Sequence, residues 1–93
     1  MIEEITIQEL AAMEPSACQI IDMRDSTAFA LGHIDGAVLI PQKELEASHE
    51  NLPKDKMLVI YCRSGILSAD VAEQLREEGY AAVNLVGGYV KWL

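Results

Sequence analysis

Short apolar runs alternate along the chain with amphipathic and polar stretches, and this alternation lays out strands and helices in turn. Residues 3–6 read as an opening strand. Thr6-Ile7-Gln8-Glu9 then has capping-box spacing: the Thr6 hydroxyl can reach the Glu9 amide while Glu9 reaches back. A short helix therefore follows to about Met13 and stops near Pro15. Cys18-Gln19-Ile20-Ile21-Asp22 is strand-like, with β-branched residues at its centre. Ser26 is placed to cap a one- or two-turn helix over residues 27–31, which Gly32 ends. Val38-Leu39-Ile40 is a brief strand closed by Pro41, and residues 42–48 carry good helix formers. After turn-forming residues 51–56, the strand Met57-Leu58-Val59-Ile60-Tyr61 runs straight into Cys62-Arg63-Ser64-Gly65-Ile66-Leu67-Ser68. The helix behind that loop takes Ser68 as its N-cap, sets Asp70 near its positive end and keeps Val71, Ala72 and Leu75 on one face. Gly79 lies just past its end. Residues 82–86 make the last strand, and Gly87-Gly88 opens into the first turn of a final helix over residues 89–93.

Strands and helices in this order predict an α/β fold, a parallel sheet with helices on both faces, and the apolar strands suit burial on both sides. Ninety-three residues with 51% apolar content fit one domain over residues 1–93, with no repeat, linker or low-complexity stretch to divide it. The balance of 15 acidic against 7 basic residues, net −8, repels nucleic-acid phosphates and anionic membranes. The apolar runs are strand-sized, short of the roughly 20 residues a membrane helix needs. No basic segment leading into an apolar run opens the chain, so a cytoplasmic protein is expected. Two cysteines, without histidines at metal-ligand spacing, suggest free thiols rather than a zinc site or a disulfide scaffold.

In a parallel sheet the residues just after each strand share one rim, and ligands bind beyond it. That places Asp22, Met23, Arg24, Pro41, the loop from Cys62 to Leu67, and Gly87-Gly88 together. Cys18, residues 32–37, residues 54–56 and Ala81 precede strands and belong to the opposite rim. Cys18 is then about 13 Å from the active rim at the usual rise per residue, too far to bond Cys62, and is expected to be a buried small apolar side chain. His33 precedes a strand and is expected to hydrogen-bond its turn. His49 sits in a polar stretch, and the acidic run of residues 44–50 reads as a solvated helix face.

Cys62 is different, because the residues after it are poor core material. Consecutive backbone N–H groups in such a loop can form an anion nest, and the following helix adds its positive end. Both favour a thiolate or a terminal persulfide. Gly65 supplies conformations closed to other residues, and Arg63 adds charge at the mouth. Asp22 and Arg24 point to one side of an extended segment. They are expected to brace the loop by accepting its amides and pairing charge; Arg24 meeting substrate and a solvated surface ion pair are the alternatives.

The chain resembles the single-domain rhodaneses, a family of sulfurtransferases. The resemblance rests on Ile20-Ile21-Asp22-Met23-Arg24, Gly32-His33-Ile34-Asp35-Gly36-Ala37 leading to Ile40-Pro41, Val59-Ile60-Tyr61-Cys62-Arg63-Ser64-Gly65, Ser68-Ala69, Gly79-Tyr80, and Val86-Gly87-Gly88 followed by Trp92. These stretches occur in the family's order over nearly the whole chain. The resemblance implies a five-stranded sheet and a catalytic Cys62 that cycles through a persulfide. Thiosulfate or a protein persulfide would act as donor and a thiol or protein as acceptor, with the amides of Arg63, Ser64, Gly65, Ile66, Leu67 and Ser68 stabilising the anion. It implies no metal or organic cofactor. Two departures stand out. Many members have an arginine where this chain has Leu67, so Ile66 and Leu67 give an apolar rim suited to a protein or thiol partner. The chain also ends at Leu93, where the family usually continues its final helix, so that helix is expected to be short or completed by another chain. The family's phosphatase relatives have a longer loop ending in a phosphate-binding arginine, and a non-catalytic binding or persulfide-carrier module is the competing reading from another class.

Overall fold

The computed structural model describes residues 3–47 and 51–93. Five strands, β1 (Glu4–Ile5), β2 (Cys18–Asp22), β3 (Val38–Leu39), β4 (Met57–Tyr61) and β5 (Ala81–Leu85), form one sheet in the order β1-β5-β4-β2-β3. Every pairing is parallel. The helices are α1 (Ile7–Ala12), α2 (Ser26–Leu31), α3 (Gln42–Ala47), α4 (Leu67–Glu77) and α5 (Gly88–Trp92), with a 3₁₀ turn at Pro15–Ala17.

The apolar stretch at β4 holds the centre because a strand buried on both faces needs apolar side chains in both directions. Successive residues point to opposite sides. Leu58, Ile60 and Cys62 enter one core with Ile21, Leu45, Val71, Ala72 and Leu75. Val59 and Tyr61 enter the other with Ile5, Leu10, Ile34, Val83 and Leu85. Leu58, Val59, Ile60 and Tyr61 are wholly buried, each contributing about 1.5–3 kcal/mol by leaving water. This parity decides which side chains can meet Cys62.

Local signals set the helix ends. Thr6 and Glu9 form the reciprocal capping box at 3.1 and 2.9 Å. Beyond α4, the Gly79 and Tyr80 amides donate to Arg76 O and Leu75 O, a Schellman ending made possible by the left-handed Gly79. Three expectations need correction. Asp25, not Ser26, caps α2, accepting from the Ala28 amide at 2.8 Å; its carboxylate lies one position earlier, where it can reach the third helical amide. Ser68 is not the N-cap of α4, which begins at Leu67 with no side-chain cap, and the Ser68 hydroxyl turns inward. Gly32 does not lie at the rim opposite Asp22, since its carbonyl accepts from the Arg24 guanidinium at 2.7 Å. With only six residues, α2 advances the chain by roughly 9 Å, too little to cross the sheet. The predicted end of the third helix, His49 and the last of the acidic run lie outside the described residues.

Candidate active site

The segments leaving β2, β4 and β5 are tied together at one rim. The Met23 amide donates to Tyr61 O at 3.0 Å, Tyr89 N to Cys62 O at 2.9 Å, and Val90 N to Arg63 O at 3.0 Å. A groove of about 310 Å³ opens there, lined by Met23, Arg24, Gln42, Cys62, Arg63 and Leu67 among others. Helix α5 reaches so close to the Cys62 loop that a Cβ on Gly88 would stand 2.6 Å from both Cys62 O and Arg63 O. Glycine is required at this contact.

Cys62 is 6% exposed, and its Sγ sits among hydrogen-bonding groups. Gly65 N lies 3.2 Å away, Ser68 N 3.4 Å and Ser68 Oγ 3.2 Å. Gly65 adopts the left-handed conformation, φ +88°, that turns its N–H back toward the sulfur. Burial pushes the thiol pKa up, but hydrogen bonds to the ionised sulfur, from the Ser68 side chain and from the amides of Ser68, Gly65 and Ser64, outweigh it, leaving the thiol below its ordinary value. Arg63 and Ser64 are exposed at the mouth. Ile66 and Leu67 are 70% and 53% exposed, so the expected apolar rim is present.

Asp22 and Arg24 meet as a bidentate pair, with Nη2–Oδ2 at 2.6 Å and Nε–Oδ1 at 2.9 Å. The expected bracing of the Cys62 loop through its amides is not what Asp22 does. Asp22 lies opposite Tyr61 in the β2–β4 register and so faces the other side of the sheet from Cys62. Its carboxylate accepts the Tyr61 hydroxyl at 2.6 Å and the Arg24 amide at 2.9 Å. Nor is the pair solvated, since Asp22 is fully buried and the Arg24 side chain is 11% exposed. Burial pushes the Asp22 carboxyl up, while Arg24 and Tyr61 hydrogen bonds pull it net below the ordinary carboxylate value. Burial and the Asp22 bond hold the Tyr61 phenol well above its usual value. The Arg24 guanidinium lies 4.2 Å from the centre of the Tyr89 ring. Because Tyr89 N holds Cys62 O, the pair supports the loop through α5.

Three site residues carried no signal strong enough to single them out: Tyr61, Tyr89 and Asn84. Asn84 is the one polar side chain in β5 and is 1% exposed. Its Oδ1 lies 2.6 Å from Ser68 Oγ, and its Nδ2 3.0 Å from Gly65 O and 3.2 Å from Glu4 Oε2. The available clue was a lone amide amid Ala82, Val83 and Leu85, a position where a buried polar group needs partners.

Cys18 stands at the other end of β2, opposite Met57, partly rather than fully buried. Burial pushes its thiol up, against a smaller pull from Lys56. His33 stacks on Phe29 with ring centroids 3.7 Å apart, and its Nδ1 lies 2.8 Å from Phe29 O; it holds its own turn, as expected. Among the described residues no group of three or more His, Cys, Asp or Glu could hold a metal ion, and no helix is long and apolar enough to cross a membrane.

Comparison with known proteins agrees with this geometry. The family model for the rhodanese-like domain matches residues 6–93. The probable adenylyltransferase/sulfurtransferase MoeZ of Mycobacterium tuberculosis is 38% identical over 76 residues, covering 78% of this chain but only 19% of that protein. The thiosulfate sulfurtransferase GlpE of Shewanella oneidensis is 35% identical over 92 residues, covering 97% of this chain and 91% of GlpE. The crystal structure of a rhodanese-related protein from Thermoplasma volcanium superposes with a TM-score of 0.89 at 28% identity, covering 97% of this chain and 89% of that one. The five-stranded parallel sheet, the cysteine loop at its carboxyl rim and the match over residues 6–93 lead to one conclusion: this chain belongs to the rhodanese-like domain family.

Proposed function

We propose that the protein is a sulfurtransferase that carries sulfane sulfur as a persulfide on Cys62. The observation behind this reading is the placement of Cys62 Sγ, buried and within 3.2–3.4 Å of the Gly65 and Ser68 amides. Fixed N–H dipoles around a buried sulfur stabilise its anion without any reorganisation. The Cys62 thiolate attacks the outer sulfur of a donor, a new S–S bond forms, and the donor's bond to that sulfur breaks with its electron pair leaving on the donor. With thiosulfate the leaving group is sulfite. A nucleophilic acceptor then attacks the terminal sulfur and returns Cys62 as thiolate, a ping-pong cycle. Arg63 is the loop's cation. Leu67 on the groove wall and the exposed Ile66 favour a donor or acceptor with apolar surface, such as a protein thiol, over a small, highly charged anion.

Phosphate hydrolysis is less well served. A tetrahedral dianion needs more room and more charge than a loop whose side chains bring one arginine and then Ile66-Leu67. To test sulfur transfer, the reduced protein is incubated with thiosulfate or a protein persulfide and its intact mass measured. One added sulfur atom, mapped to Cys62 and absent in Cys62→Ala, is expected. No adduct with either donor class would sink the reading.

A further inference from the structure

We propose that Asn84 governs the Cys62 thiol by holding the proton of the Ser68 hydroxyl, which makes it a positioning residue of the site. Its own partners fix its orientation. Gly65 O and Glu4 Oε2, both acceptors, lie 3.0 and 3.2 Å from one end of the amide, so that end is the nitrogen. The oxygen therefore faces Ser68 Oγ at 2.6 Å. A carboxamide oxygen cannot donate, so the hydroxyl proton lies on the Ser68–Asn84 line.

A hydroxyl has one proton, and Cys62 Sγ is 3.2 Å from the same oxygen. With its proton committed to Asn84, Ser68 can only accept from the sulfur, and that suits a thiol donating S–H to Oγ. When the thiol ionises and its proton leaves for water, Ser68 must swing its O–H from Asn84 to the sulfur, stranding a buried Oδ1. The Gly65 and Ser68 amides thus favour the thiolate at all times, whereas the hydroxyl does so only at Asn84's expense. On the sulfur-transfer reading, persulfide formation moves the negative charge to the terminal sulfur and leaves Sγ uncharged. The hydroxyl proton then returns to Asn84. Resting thiol and loaded persulfide both keep the Asn84 bond, and the free thiolate is the state that breaks it.

Sheet parity makes this arrangement possible. Asn84 is opposite Ile60 in β4 and Glu4 in β1, on the side of the sheet that Cys62 faces. The loop has a second anchor, since Tyr89 N and Val90 N hold Cys62 O and Arg63 O; loss of the Asn84–Gly65 bond leaves those donors in place. The charged groups around the sulfur are Arg24, Asp25 and Arg63 along the groove, with Asp70 exposed in the first turn of α4, Lys91 against Gly87 on α5 and Glu4 behind Asn84. Asp22 is paired with Arg24 on the opposite face.

The test reads the pH dependence of Cys62 alkylation in a Cys18→Ser background. Asn84→Leu, close in size and unable to hold the proton, is expected to lower the midpoint, giving about three- to tenfold more thiolate below it. Adding Ser68→Ala should cancel that gain. Ser68→Ala alone should change the thiolate fraction by less than about threefold, because the bond the hydroxyl gives the thiolate is offset by the Asn84 bond it breaks. An unchanged or raised midpoint in a folded Asn84→Leu, or about a tenfold loss of thiolate in Ser68→Ala, would overturn the proposal. The Ser68→Ala arm stands even where Asn84→Leu does not fold. Sulfur loading is scored separately by mass: its absence counts against sulfur transfer, and a missing alkylation shift counts against Asn84.

Discussion

Cys18 and Cys62 belong to neighbouring parallel strands and sit at opposite ends of the sheet. Cys18, the more accessible of the two, has its thiol pushed up, while Cys62, 6% exposed, has its thiol held down. Access therefore does not rank these thiols. The chain leaving β4 turns through Gly65 into α4, and that turn brings N–H groups back onto the sulfur. Around Cys18, burial is opposed by the charge of Lys56, the smaller of the two effects. The carboxyl end of a parallel strand becomes a reactive site because helix N-termini gather there.

Substitutions that loosen the frame around Cys62 should make it behave more like Cys18. The largest expected effect is that of Asp22→Asn, which leaves the nearly buried Arg24 charge unpaired and weakens the Tyr61 contact; denaturant melts should show about 3–5 kcal/mol lost. The loss should also change the pH profile. The folded-state pKa of Asp22 lies below its unfolded value, so on acidification the unfolded chain takes up the proton first. The stability this residue contributes is complete above the ordinary carboxylate range and fades as pH falls through the folded value. Asp22→Asn should flatten that acid limb; a variant as acid-sensitive as the parent would remove Asp22 as its cause.

Gly88→Ala comes next. Its Cβ would meet two loop carbonyls at 2.6 Å, and φ is +62°. A loss of about 2–3 kcal/mol is expected, together with a rise of the Cys62 alkylation midpoint as the amides move off the sulfur. A stable variant with an unmoved midpoint would show that α5 does not hold the cradle.

Much of this organisation was legible in the sequence. The five strands, the shared rim, the separation of Cys18 from Cys62 and the turn-holding role of His33 follow from local pattern and strand polarity, whereas the placement of Gly32 did not. Pairing across the sheet was not legible. Asp22 faces Tyr61 through the register of two strands, and Asn84 meets Ser68 from 16 residues away where β5 packs against α4; periodicity within one strand gives neither. The misplaced cap at Ser68 has the same origin. Its hydroxyl suits a helix start, but the sulfur and Asn84 offered it buried partners.

The most direct test is differential alkylation of the two cysteines in one folded chain across pH, with each site quantified by peptide mass. Cys62 should ionise with a midpoint below that of an unperturbed cysteine and Cys18 above it, so that Cys62 reacts first at neutral pH despite its burial. Overlapping midpoints, or Cys18 reacting first, would contradict the claim that the backbone amides at the end of β4 make the thiolate.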